Sequence, residues 1–202
     1  MEARAAVEEA IVQTTALLDL IRQLQARSPR SRDPGDMARL LSAFGGFGSP
    51  AIERPQPPPG CYSRTCLHEC DRFELVLIDW APGSKAPLHD HGGEHCWFVL
   101  LEGSLHVEDY RRLDGREIPG RASVEATGAR TLHAGDVDVR FESFAVPDLH
   151  RVDAAGAMRA QSLHVYASPI RDYFVYDAAA GTCAPARSTY DAVATIANGP
   201  RA

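Results

Sequence analysis

One stretch, Gly83 to Gly103, constrains this chain more than any other; it reads GSKAPLHDHGGEHCWFVLLEG. His89 and His91 bracket a single residue. Along an extended strand, residues two apart share a face, so both imidazoles can be aimed at one point. Imidazole ligates iron, zinc, copper and nickel alike, so the pair points to a metal without choosing among them. The flanks carry more information than the pair. Five residues separate Gly83 from His89, four separate His91 from Cys96, and six separate Cys96 from Gly103. Ala81-Pro82-Gly83-Ser84 and Glu102-Gly103 read as turns. Cys96-Trp97-Phe98-Val99-Leu100-Leu101 between them reads as a buried strand.

The rest of the chain extends this β reading. Phe73 to Trp80 is apolar and β-prone, and Ser104 to Tyr110 follows the glycine turn. Further strands are expected near 129–132, 137–141, 148–152, 161–166, 173–177 and 182–186. Many short strands at close intervals indicate a sandwich or barrel, and the jelly roll fits that pattern. The first third differs. Residues 3–27 read as a helix, with Val7, Ile11, Leu18, Ile21 and Leu24 near helical spacing, ended at Ser28-Pro29. A second helix starts at Asp33-Pro34-Gly35-Asp36, carries Met37, Leu40, Leu41 and Phe44, and ends at Gly45 to Gly48. Residues 49–60 hold five prolines and read as an extended connection. The expected organisation is one structural unit: a helical cap over 1–48, a linker over 49–60 and a β barrel over 61–202.

Composition excludes several classes. With 202 residues and 45% hydrophobic content, the chain can build a core. A net charge of -6 argues against a nucleic-acid partner. No apolar run approaches the ~20 residues of a membrane helix, and an acidic N-terminus is unlike a signal or transit peptide. Five cysteines without a C-x-x-C suit a reducing compartment rather than a zinc ribbon or thioredoxin motif. The expectation is a cytoplasmic monomer that meets neither nucleic acid nor membrane.

Several other residues carry chemistry. His150, in Leu149-His150-Arg151-Val152, offers a third imidazole. Alternation puts Ser162, His164 and Tyr166 on one face of a strand, and Leu163 and Val165 on the other. That polar face could equally be solvent-facing. Arg64, in Tyr62-Ser63-Arg64, presents planar paired donors that suit a carboxylate.

The spacing around the histidine pair resembles the first motif of the cupins, G-x5-H-x-H-x3-4-E-x6-G, with Cys96 in place of the glutamate. A cupin so altered is similar to the thiol dioxygenases, and most similar to the cysteine dioxygenase family. His89-Asp90-His91 through His95-Cys96, Leu149 to Val152, Ser162 to Tyr166 and Tyr62-Ser63-Arg64 all match its motifs. The match covers roughly residues 60–175. The resemblance implies an all-β cupin (double-stranded β-helix, jelly-roll barrel) with N-terminal helices. It implies Fe(2+) held by His89, His91 and His150. It implies a relay from Ser162 through His164 to Tyr166, with Cys96 placed for a thioether bond to Tyr166. Arg64 would hold the substrate carboxylate, with Tyr62 and Trp80 nearby. The implied reaction is oxidation of L-cysteine by dioxygen to cysteine sulfinic acid, a step in cysteine catabolism.

The second cupin motif is poorly kept, with Pro147 and Ala154 at its glycine and asparagine positions. Tyr173 stands where the mammalian-like enzymes have cysteine. Arg171 adds a charge that could serve a second carboxylate, and Gly92-Gly93 suggests a loose loop. Two other readings therefore stay open: a dioxygenase for another small thiol, such as 3-mercaptopropionate or mercaptosuccinate, and a non-catalytic cupin that senses a metal or small molecule. A zinc or nickel enzyme is a further alternative. Cys61, Cys66 and Cys70 have no assigned role.

Overall fold

The structure is a computed structural model, and it describes residues 2–27, 34–114, 120–141, 148–154, 156 and 158–194. Ser28-Pro29, Asp33 and Pro147 lie outside the described residues. Two helices, α1 (Glu2–Gln25) and α2 (Pro34–Gly45), come first. Then follow β1 (Tyr62–Cys70), β2 (Phe73–Trp80), β3 (Lys85–His89), β4 (Cys96–Glu102), β5 (Ser104–Arg112) and β6 (Val124–His133). The chain continues through β7 (Val137–Arg140), β8 (Leu149–Ala154), β9 (Ala160–Tyr166), β10 (Asp172–Asp177), β11 (Thr182–Arg187) and β12 (Ala192–Val193). One sheet runs β12-β1-β2-β9-β4-β7 and the other β11-β10-β3-β8-β5-β6. All pairings are antiparallel except that of β12 with β1. This is the jelly roll the sequence pattern implies.

The cores explain the strand sequences. Val76, Ile78, Trp80, Phe98 and Leu100 of the first sheet meet Ala86, Leu105, Val107 and Val152 of the second, filling the barrel. The opposite face of the first sheet carries Leu75, Leu77, Trp97, Val99, Leu163 and Val165, and packs under Leu17, Leu20, Leu24, Met37, Leu41 and Phe44 of the helices. β2, covered on both faces, reads as a largely apolar run and is buried throughout. β9 is equally buried but alternates, because Ser162, His164 and Tyr166 face the barrel interior while Leu163 and Val165 face the helices. The apolar residues of the first half of α1 depart from expectation. Val7 and Ile11 are each 59% exposed, because only the second half of the helix lies over the sheet.

Residues 49–60 form no helix or strand, yet they are fastened to the sheet. Arg54 donates through Nε to Asp79 of β2 at 2.8 Å and through Nη1 to the Ile52 carbonyl. Three strands escaped the sequence reading: β1, β3 and β12. β1 mixes polar and apolar residues, β3 reads Lys-Ala-Pro-Leu-His with alternating burial, and β12 spans only two residues, too short for a pattern. Gly103 shows why the turn after β4 needs glycine. Its φ is +76°, and a Cβ there would lie 2.4 Å from the Arg159 carbonyl oxygen. Among the described residues no helix is long and apolar enough to cross a membrane.

Candidate functional site

The three histidines converge. His89 ends β3, His150 lies early in β8, and the antiparallel pairing of those strands sets the two directly opposite each other. His91 follows one residue beyond Asp90. The ring centroids lie 4.6 Å apart for His89 and His150, 4.9 Å for His91 and His150, and 5.3 Å for His89 and His91. One nitrogen from each falls within 4.8 Å of the others, a set that could hold a metal ion. Burial drives all three toward the neutral form. It lowers His89 to about 3 and His91 to about 4, and holds His150 well below its ordinary value. A metal ligand must be neutral imidazole, so the chemistry of the donors fits. His89 Nδ1 lies 2.7 Å from the Pro87 carbonyl oxygen. Donation there fixes the tautomer and leaves Nε2 with its lone pair.

Asp90 aims this loop. Its Oδ1 accepts from the backbone N–H of Gly92 at 3.1 Å and of Phe174 at 2.9 Å, and its Oδ2 accepts from the Tyr176 hydroxyl at 2.7 Å. The buried carboxylate ties the histidine loop to β10. Gly92 sits there for contact, not looseness: its φ is +65°, and a Cβ would meet the Asp172 carbonyl oxygen at 2.3 Å. The reading of Gly92-Gly93 as a free loop is thereby corrected.

Beside the histidines, the cavity is lined by Tyr62, Arg64, Trp80, His164, Tyr166 and Tyr173. Ser162, His164 and Tyr166 lie on the inner face of β9, linked to one another and to β2. Trp80 Nε1 donates to Ser162 Oγ at 2.9 Å, and that oxygen lies 2.8 Å from His164 Nε2. An indole N–H can only donate, and a hydroxyl oxygen has two lone pairs. Ser162 therefore accepts from Trp80 and can share a hydrogen bond with His164 Nε2 in either tautomer. Burial keeps His164 neutral. Its Nδ1 faces the Tyr166 oxygen at 3.4 Å and Cys96 Sγ at 3.9 Å. Trp80 thus anchors the outer end of the relay.

Cys96 and Tyr166 are cross-strand neighbours on β4 and β9. Both are buried, which pushes thiol and phenol well above their ordinary values and leaves both protonated. Arg64, on β1, holds its guanidinium 6.0 Å from the Tyr166 ring. Its Nε has no hydrogen-bond partner among the described residues. Tyr62 packs on Trp80 with centroids 5.0 Å apart.

The family model described as cysteine dioxygenase type I matches residues 60–179. The chain belongs to the cysteine dioxygenase type I family. Cysteine dioxygenase type 1 of Danio rerio is 26% identical over 122 residues, which is 59% of this chain and 58% of that protein. The Rattus norvegicus protein of the same name is 28% identical over 124 residues, with the same shares. The chain thus spans 58% of the length of these relatives. Plant cysteine oxidase 1 of Arabidopsis thaliana is 34% identical over 59 residues, covering 29% of this chain and 20% of that protein. Among solved structures, a cupin superfamily protein from Desulfitobacterium hafniense aligns with a TM-score of 0.41 at 16% identity, over 64% of this chain and 88% of its own. A Thermus thermophilus protein aligns with a TM-score of 0.43 at 19% identity, over 56% and 90%.

The matched segment runs from just before β1 to just after β10, and so includes all the residues named in the cavity. Three residues of the site had no role assigned from the sequence. Asp90 sat inside the histidine motif with no role. Glu74, inside the apolar run of β2, is wholly buried beside Arg64. Tyr173 enters the cavity, its ring 6.0 Å from that of His89. Arg171 does not line the cavity. It donates to Glu69 at 2.6 Å and is half exposed, so the second-carboxylate role is corrected.

Proposed function

We propose that the chain is an iron-dependent thiol dioxygenase that converts L-cysteine and dioxygen to cysteine sulfinic acid. One observation carries the reading: three neutral imidazoles and an unspent guanidinium line the same cavity. Fe(II) held by His89, His91 and His150 would supply a positive centre that favours the thiolate form of a substrate. Three neutral ligands leave that charge uncompensated by the protein.

The chain's own residues do the rest. Arg64 takes the substrate carboxylate in paired hydrogen bonds, using donors that the fold leaves available. Tyr166 directs its O–H into the cavity, held by His164, Ser162 and Trp80. Tyr62, Trp80 and Ile170 wall off water beside it. The overall step is RSH + O2 → RSO2⁻ + H⁺. Sulfur gives up four electrons, both oxygen atoms end on it, and no external reductant is needed. Sulfinic acid stands one rung above sulfenic acid on the oxidation ladder.

Cys96 and Tyr166 would join through a thioether bond. The new S–C bond costs one hydrogen from the thiol and one from the ring, and dioxygen takes up both. A dicarboxylic thiol is less well served, since Arg64 is the one arginine among the described residues that line the cavity.

The test is oxygen uptake by iron-loaded protein across cysteine, 3-mercaptopropionate and mercaptosuccinate, with metal analysis and product mass. Cysteine should give the highest kcat/KM and a product heavier by two oxygen atoms. No uptake despite bound iron would leave a non-catalytic binding protein. Arg64→Ala should raise the cysteine KM by about tenfold or more, as the loss of a charge-assisted carboxylate contact does. An unchanged KM removes Arg64 from the substrate site.

A further inference from the structure

The residues after the matched segment complete the carboxylate end of the cavity. Residues 188–194 run along the edge of β1 as a strap. Asp191 and Arg64 clip it in place: Arg64 N donates to Asp191 Oδ2 and Asp191 N to the Arg64 carbonyl, each at 2.8 Å. The strap sets the Tyr190 ring 6.0 Å from the Arg64 guanidinium, just as Tyr166 stands on the cavity side. Behind Arg64 lies Glu74, a carboxylate without solvent exposure, 3.9 Å from Arg64 Nη2 and 3.8 Å from Arg171 Nη1. A buried anion needs charged or hydrogen-bonding partners. The Tyr190 hydroxyl makes a short hydrogen bond to Glu74 and lies 2.9 Å from Glu69. Arg171 donates to Tyr190 at 3.4 Å and to Glu69 at 2.6 Å.

The cluster is balanced, with two arginines and two carboxylates, but it is not paired symmetrically. Arg171 belongs to Glu69. Tyr190 holds Glu74 through Oε2, and Oε1, which also takes the Ile170 N–H at 3.5 Å, stays 3.9 Å from Arg64 Nη2. Arg64 stays loosely held, its Nε unpartnered.

We infer that Tyr190 is a positioning residue that sets substrate specificity: by occupying Glu74 it leaves Arg64 free to take the carboxylate of the substrate. The inference rests on Arg64 as the carboxylate grip. Without the hydroxyl, Glu74 draws Arg64 back, and thiols that carry a carboxylate lose their advantage.

The test compares L-cysteine with cysteamine, which lacks the carboxylate. Binding is measured by anaerobic calorimetry on the iron-loaded full chain, and kcat and KM for cysteine are measured in air. Tyr190→Phe should weaken cysteine binding about tenfold, the scale of a lost hydrogen bond to a charged group. KM should rise by more than kcat falls, and cysteamine binding should move by less than about twofold. In a Glu74→Gln background the same change should have no further effect, because the competing anion is gone. Unchanged cysteine binding in Tyr190→Phe, an equal loss for both thiols, or an undiminished effect in Glu74→Gln would overturn the inference. Arg64→Ala separates the two levels. If it abolishes the preference for cysteine and Tyr190→Phe does not, the role of Tyr190 alone fails. If the preference survives Arg64→Ala, the carboxylate grip fails and the inference falls with it.

Discussion

Replacing Ser162 with alanine tests the relay that joins β2 to β9. Ser162 has no solvent exposure, and its one oxygen serves two buried neighbours, Trp80 Nε1 at 2.9 Å and His164 Nε2 at 2.8 Å. Alanine leaves both without that partner. Each buried orphan costs about 1–3 kcal/mol, so the metal-free protein should lose about 2–6 kcal/mol. Urea unfolding of the metal-free protein reads this as a lower midpoint at constant slope. A cycle with Trp80→Phe sharpens the test. In the double variant the indole N–H is no longer there to be stranded, so the combined cost should fall short of the sum by about 1 kcal/mol. The alanine also unhooks His164 from its serine partner, so kcat should drop by about tenfold or more, with a smaller change in KM. A loss under about 0.5 kcal/mol, or strict additivity in the cycle, would refute Ser162 as the joint between β2 and β9.

Three further outcomes are expected. His150→Ala should purify without stoichiometric metal, since two imidazoles two residues apart hold an ion weakly; normal metal content would remove His150 from the ligand set. His164 is buried neutral, with its folded pKa below the unfolded value of 6.5, so the unfolded state binds the extra proton. Its contribution to stability is present above pH 6.5 and is lost as pH falls from there toward the folded value. His164→Gln should therefore flatten the acid limb of the stability profile of the metal-free protein by up to about 1.4 kcal/mol per pH unit; an unchanged slope would contradict a buried neutral imidazole. Cys96→Ser should abolish the thioether, seen as the return of two hydrogens to the intact mass. Wild-type protein that turns over cysteine in air at the full uncrosslinked mass would show that no such bond forms.

Local periodicity made part of the site legible. Residues two apart share a face, so His89 with His91, and Ser162 with His164 and Tyr166, could be grouped before any fold was known. The bounds of β2 also came directly from its apolar run, Phe73 to Trp80. Other parts lacked a local signal. β1 carries Arg64 but alternates too weakly to stand out, and a bulge between Cys66 and His68 shifts its register. Glu74, in an apolar strand, gave no hint that its partners were Tyr190 and Arg171, far along the chain.

By itself the sequence determined the donors: imidazoles at fixed spacing, a guanidinium, a phenol, and the apolar strands able to bury them. Only the tertiary structure decided which of them meet. Pairing of β3 with β8 sets His150 opposite His89, and pairing of β2 with β9 brings Trp80 to Ser162. Glu69 of β1 holds Arg171 outside the cavity while Arg64 lines it. The reason is physical: side-chain alternation is a property of one strand, whereas register and sheet order arise from contacts between strands distant in the chain, which no local pattern records.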